Sequence, residues 1–321
     1  MTKNDLYLGR EQTLVKHFIL QQYLERFAII VGTHRNTLTY VDCFSGPWNV
    51  RSDDFQDSSF AIALKQLRKA REIHQRQTGR RLKLRAFFLE KNRSAFNKLS
   101  LFTKDITDVE IEILNEKLEV SIPAILDFIK KGGKNSFPFI FVDPTGWSGF
   151  AMDIIAPLLQ VKPGEVLINF MTEHISRFIE SPQDETQASF KRLFGSGEFK
   201  KRLQGLDKRD REDAIVQEYG NSVRRTGGFK YVTCAIVLHA VENRTHFNLI
   251  YATRNPKGVQ VFKDTEKKAM SIMQEARGDA HQRKREEKTG QTELFGGSAL
   301  YRGGPKNLNN KISGYALLTV A

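Results

Sequence analysis

The stretch KYVTCAIVLHAVENRTHFNLIYAT occupies residues 230–253. Two long β-favouring runs, 230–240 and 245–253, flank the polar turn VENR, and that spacing reads as an antiparallel hairpin. Upstream the pattern alternates between strand and helix. A helical spacing over 11–31 sets Leu14, Phe18, Ile19, Tyr23 and Phe27 on one side. Strand-like runs follow at 38–44 (LTYVDCF), 82–90 (LKLRAFFLE), 109–115 (VEIEILN), 137–143 (FPFIFVD) and 165–171 (EVLINFM). Between them lie helical patterns at 58–77, with Ser58 or Ser59 as its cap, at 92–103, and at 121–132, stopped by Gly132-Gly133. Alternation of this kind predicts an α/β fold with a mostly parallel sheet. With the hairpin added, it becomes a doubly wound, seven-stranded sheet.

Residues 172–229 are polar and mostly helical in pattern, an insert before the hairpin, and a further helix is expected over 263–277. Residues 278–311 are rich in Gly, Lys, Arg and Gln and read as loosely ordered, and a last run, YALLTVA, closes the chain as a strand or a free end. The expected organisation is a helical segment 1–37, a main domain 38–277 carrying the insert, and a C-terminal segment 278–321. No internal repeat is visible.

At 321 residues the chain is long enough for one large α/β domain or two small ones. It has no run of 18 apolar residues, so no membrane span is expected, and its beginning lacks the apolar core of a secretory signal. Cys43 and Cys234 sit in apolar runs, with no CxxC or Cys/His cluster to hold a structural zinc. A cytoplasmic protein without a metal centre is the expectation. The net charge is +13, and residues 65–98 alone hold twelve Lys or Arg against two acids. Such density can attract phosphate backbones, although a solvated helix face is the commoner meaning. Arg76, Arg80, Arg81 and Lys83 fall where the chain re-enters the second strand, at the opposite edge of the sheet from any ligand crevice. They suit docking of a nucleic acid or a partner.

In open α/β sheets the crevice lies outside the carboxyl ends of the strands, where strand order reverses. Asp42, Glu90, Asn115 or Glu116, Asp143 and Asn169 all fall near such ends. Gly46, in the turn after Asp42, lets the backbone approach a ligand. There is no G-x-G-x-x-G and no G-x-x-x-x-G-K-[ST], which disfavours dinucleotides and P-loop chemistry. Asp143-Pro144 ends a strand, because proline offers no N–H to the ladder. Trp147, nearby, reads equally as a stacking surface for substrate or as a hydrophobic plug. His17 reads as a packing or capping residue. Glu173-His174 reads as a solvated pair, with acid/base work as the rarer meaning.

Five βα units followed by a hairpin resemble the class I methyltransferase fold. That resemblance implies S-adenosylmethionine as cofactor, cradled by the first loop (Asp42, Ser45, Gly46, Pro47), with Glu90 on the ribose and Asn115 beside it. The stretch FVDPTGW resembles the Asp-Pro-Pro-Tyr motif of amino-methyltransferases, which implies that Asp143, Pro144 and Trp147 hold a target amine. Taken together, KHFILQQYL (16–24), YVDCFSGPW (40–48), FIFVDPTGW (139–147) and LIYATRNPKG (249–258) look like the three-Cys-motif partner protein family. That family is bacterial and is named for a cysteine-rich neighbour, which the resemblance makes a possible partner. Trp48 stands where the family pattern carries a glycine, and Thr145 where it carries a phenylalanine. The expected function is methylation of an amine in a nucleic acid or nucleotide. The alternative is a methyltransferase-like module that has lost catalysis and works with a partner protein.

Overall fold

The computed structural model describes residues 6–47 and 50–290. Helix α1 (Glu11–Gly32) leads into β1 (Thr37–Asp42), α2 (Ser59–Thr78), β2 (Lys83–Leu89), α3 (Arg93–Thr103), β3 (Glu110–Leu114), α4 (Leu118–Lys131) and β4 (Ser136–Val142). Then come α5 (Met152–Leu159), β5 (Glu165–Phe170) and the helices α6 (Thr172–Phe178), α7 (Asp184–Phe194), α8 (Phe199–Leu203) and α9 (Lys208–Gly227). The described chain ends with β6 (Tyr231–Leu238), β7 (Thr245–Thr253) and α10 (Pro256–Thr289).

The seven strands form one sheet in the order β3-β2-β1-β4-β5-β7-β6. The first five are parallel, and β7 runs antiparallel to both β5 and β6. The doubly wound, seven-stranded, mostly parallel sheet expected from the sequence is the sheet observed. Strand order reverses between β1 and β4: the chain builds outward to β3, then returns to the other flank of β1. That reversal opens a crevice beyond Asp42 and Val142.

Side chains alternate across the sheet, so each strand feeds two cores. Leu38 and Tyr40 pack with α1, α2 and α10, whereas Val41 packs with α4, α5 and the helices between β5 and β6. Burial on both faces explains why β1 and β5 read as continuous runs rather than alternating ones. Ser58 caps α2 as expected, its side chain accepting from the Ala61 N–H.

Two expectations change. The helix placed at 263–277 runs from Pro256 to Thr289, so part of the stretch read as loosely ordered is helical. Its Gln, Lys, Arg and Glu residues are good helix formers, and Arg277 clamps the hairpin turn by donating to the Glu242 carbonyl (2.9 Å) and Asn243 Oδ1 (2.7 Å). Residues 291–321, including YALLTVA, lie outside the described residues, as does Trp48. Helix α5 has no counterpart in the sequence reading. It is eight residues long, carries Pro157, and is held by burial of Ile155, Leu158 and Leu159 rather than by propensity.

The stretch at 249–258 also finds a structural use. Tyr251 and Thr253 join Tyr23 around the buried Glu165, and a Cβ on Gly258 would lie 2.3 Å from the Tyr251 hydroxyl. The Arg254 guanidinium donates to the carbonyls of Leu159, Val161, Gly164 and Gly227, tying the hairpin to α5 and α9.

Candidate functional site

A cleft of about 280 Å³ opens over the β1/β4 switch point. Its walls come from the α1 end (Arg10, Lys16, His17), the loop after β1 (Phe44, Gly46), the α2 cap (Ser58, Ser59), the β4 exit (Asp143, Pro144, Thr145), Asn169 of β5, and His246 and Phe247 of β7.

Asp42 lies beneath this cleft and is completely buried. Its carboxylate accepts from the Phe44 N–H (3.1 Å), Ser59 Oγ (2.6 Å) and the Tyr40 hydroxyl (3.2 Å). Ser45 completes the turn: its Oγ donates to the Asp42 carbonyl (2.9 Å) and its N–H to the Leu89 carbonyl of β2 (2.8 Å). The acid at the strand end therefore folds the loop and brings Gly46 to the cleft wall. Burial pushes the Asp42 carboxyl up to about 6, against the hydrogen bonds from Ser59 and Phe44, and the Asp143 charge adds to the rise. Pro47 is buried behind the turn. Asp57 holds the far side of the loop, accepting from the Arg51 and Ser52 N–H groups at 3.0 and 3.2 Å and ion-pairing with Arg10.

Asp143 stands at the β4 exit with both oxygens engaged. Asn169 donates its Nδ2 to Oδ1 at 2.6 Å, and the Lys16 ammonium sits on Oδ2 at 2.5 Å. Turning its amide N–H to Asp143 leaves the Asn169 Oδ1 atom buried without a hydrogen-bond partner among the described residues. An orphaned acceptor on the cleft wall, next to a carboxylate, suits a ligand that carries N–H groups.

Across the cleft, His246 Nδ1 lies 2.7 Å from Glu173 Oε2. Glu173 also pairs with Arg244 and with Arg177. Partial burial pushes the Glu173 carboxyl up, but Arg244 and His246 outweigh it and hold the group at about 2. The histidine beside Glu173 is thus His246 rather than its sequence neighbour His174. His17 is buried and accepts or donates through Nδ1 to the Tyr7 hydroxyl at 2.9 Å, in keeping with the packing role expected for it.

Other expected positions lie elsewhere. Glu90 and Asn115 meet each other one strand away: Asn115 Nδ2 donates to the Glu90 carbonyl (2.7 Å), and Glu90 Oε1 accepts from the Asn92 N–H (2.5 Å). Neither lines the cleft, although the Ser45–Leu89 bond keeps the first loop against the same strand. Trp147 packs at a tilt against Phe178 and Phe190 at centroid distances of 5.1 and 5.5 Å and does not line the cleft, which is the position of a plug between α6 and α7. In the basic cluster, Arg80 donates to the Thr33 carbonyl (2.8 Å) and Asn36 Oδ1 (2.6 Å), and Lys83 pairs with Glu110 at 2.7 Å. Arg76 pairs weakly with Glu72 at 3.8 Å, and Arg81 is exposed. Among the described residues no group of three or more His, Cys, Asp or Glu could hold a metal, and no helix is long and apolar enough to cross a membrane.

Sequence reasoning missed Lys16, Arg10 and His246. A signal for His246 existed. In an antiparallel hairpin against β5, the start of β7 must reach the rim where β5 ends, and the register pairs Phe170 with Asn248.

No protein-family model matches the chain, and no curated protein matches it. Solved structures similar to it include a Legionella pneumophila protein of the family DUF519, at 10% identity and a TM-score of 0.42, over 77% of this chain and 90% of that one. An O-methyltransferase family protein from Burkholderia thailandensis is similar at 12% identity and a TM-score of 0.32, over 77% and 60% of the two chains. A loganic acid methyltransferase with SAH is similar at 11% identity and a TM-score of 0.37, over 94% and 88%.

Proposed function

We propose that this protein is an S-adenosylmethionine-dependent methyltransferase whose acceptor is an amine of a nucleic acid or nucleotide. The observation that carries the reading is the pairing of Asp143 with Asn169 on the wall of a cleft that Gly46 also lines. Two acceptors, the Asp143 carboxylate and the orphaned Asn169 oxygen, would hold an amine by its N–H groups and aim its lone pair across the cleft. The donor set fits the cofactor in part. The first loop supplies a glycine at the wall, and Glu90 with Asn115 lies at the next strand end, where a ribose would be held. S-adenosylmethionine supplies an electrophilic methyl group when bound.

The chain's own task is positioning, which in well-oriented systems can contribute roughly 7–11 kcal/mol. Asp42 sets the loop and makes no contact with the ligand, because it is wholly buried. Pro144 ends the β4 ladder and lines the cleft beside the acceptor carboxylate. His246, with Nδ1 fixed by Glu173, presents its other ring nitrogen for the proton that the methylated amine must lose. The net charge of +13 supports a polyanionic substrate.

The alternative, a module without catalysis that works with a partner protein such as a cysteine-rich one, is favoured by one observation: Lys16 already occupies Asp143. The two readings separate in one assay. Labelled methyl groups from S-adenosylmethionine are offered to RNA, DNA and free nucleotides, with wild-type protein and with Asp143→Ala. Transfer to one pool that Asp143→Ala loses, while still binding S-adenosylhomocysteine, is expected. Equal transfer by both proteins would contradict the assignment of Asp143.

A further inference from the structure

We infer that Lys16 is itself a methyl acceptor of this cleft, a site of self-modification; the inference rests on the methyltransferase reading above. The Lys16 ammonium lies 2.5 Å from Asp143 Oδ2, the oxygen that an acceptor amine would use. It is an amine in the amine's place. The side chain is only 13% exposed, so it is held in the cleft rather than sampling solvent. Its backbone is equally fixed: Val15, Ile19 and Leu20 on the same helix are buried in the core beneath it. A primary amine delivered by a rigid helix has lost most of the freedom that a diffusing acceptor must give up. Among the described residues, Lys16 is the only lysine that lines the cleft, and Gly46 of the first loop lines it too.

The chemistry balances with S-adenosylmethionine as the one co-reactant. Lys16 Nζ first gives a proton to water in the open cleft, which frees its lone pair. That pair forms the N–C bond to the methyl carbon as the C–S bond breaks, and the C–S electrons stay on sulfur as the neutral thioether. Lys16 becomes a secondary ammonium, still positively charged and still able to pair with Asp143. Because the lysine is consumed as it reacts, the modification is a single-turnover event. It also reconciles the occupied Asp143 with a working site: the lysine stands in for an acceptor until one displaces it.

The test uses the full-length protein and two readouts. After incubation with S-adenosylmethionine, proteolysis and mass spectrometry should find a gain of about 14 Da per methyl on the peptide that holds Lys16, and on no other lysine. Separately, acylation by acetic anhydride should modify Lys16 in the free protein and be suppressed by S-adenosylhomocysteine, with no turnover involved. Calorimetry on the same sample reports whether either cofactor binds. Binding without a mass gain and without protection would overturn the inference and leave the methyltransferase reading intact. Absence of binding would overturn both. A mass gain that persists in Lys16→Arg, on other lysines, would also overturn it.

Discussion

Asp42 and Asp143 end neighbouring strands, yet burial gives them opposite duties. Asp42 is sealed under the first loop, and burial raises its carboxyl to about 6. A raised carboxyl stays protonated in the folded state while the unfolded chain ionises, so the folded state binds the extra proton. Stability should therefore fall as pH rises from about 4 to about 6, by up to roughly 3 kcal/mol for a shift of this size. Asp42→Asn keeps an acceptor for the Phe44 N–H and loses the titration. Denaturant unfolding at pH 4 and pH 7 should show a pH dependence in the wild type that is reduced in the variant; an equal pH dependence in both would mean Asp42 is not buried as described. His246 is the second residue with a definite expectation. If it takes the acceptor's proton, His246→Gln should lower turnover by roughly a hundredfold and leave S-adenosylhomocysteine binding unchanged. Loss of cofactor binding would instead make it a binding residue. Asp143 is visible in the sequence, because a strand that ends in Asp-Pro announces itself. Lys16 is not: it sits one residue from His17 on a helix whose pattern reports only which face is buried.

The turn between α2 and β2 illustrates how elements reuse charge. The basic density at 65–98 can attract phosphate backbones, but acids from elsewhere in the chain meet much of it. Arg68 and Arg71 pair with Asp108, Lys69 with Glu25, and the wholly buried Arg85 with Glu110. These acids lie outside the basic stretch, so no local count could subtract them. Arg80 and Lys83 are anchors of the β1–β2–β3 edge, whereas Arg76 and Arg81 remain at the surface. Docking of a nucleic acid is thus a proposal about Arg76 and Arg81. Arg76→Glu combined with Arg81→Glu should weaken nucleic-acid binding and lower the slope of log affinity against log salt by about 0.9 for each phosphate that is no longer neutralised. An unchanged slope would leave the turn as a structural edge only. The elements themselves are mostly legible, because their periods of burial are written in the strands and in α1, α2 and α4. The short α5 and the polar end of α10 are not, since tertiary packing holds them.

For the molecule as a whole, seven strands in one reversed order bring residues from α1, β1, β4, β5 and β7 to a single rim. No two of the cleft residues Lys16, Gly46, Asp143, Asn169 and His246 are sequence neighbours. Strand ends can be read from the sequence, which is why Asp143 and Asn169 are expected near the crevice. What crosses to the rim from a helix start or from an antiparallel strand depends on packing, so Lys16 and His246 emerge only in three dimensions. The site has meaning as a transferase only if it takes the cofactor. Calorimetric titration of the purified protein with S-adenosylmethionine and S-adenosylhomocysteine tests that most directly, with Glu90→Ala as the comparison. Saturable binding of both, abolished or strongly weakened in Glu90→Ala, is the predicted result. No heat of binding at millimolar cofactor, or binding indifferent to Glu90→Ala, would contradict it.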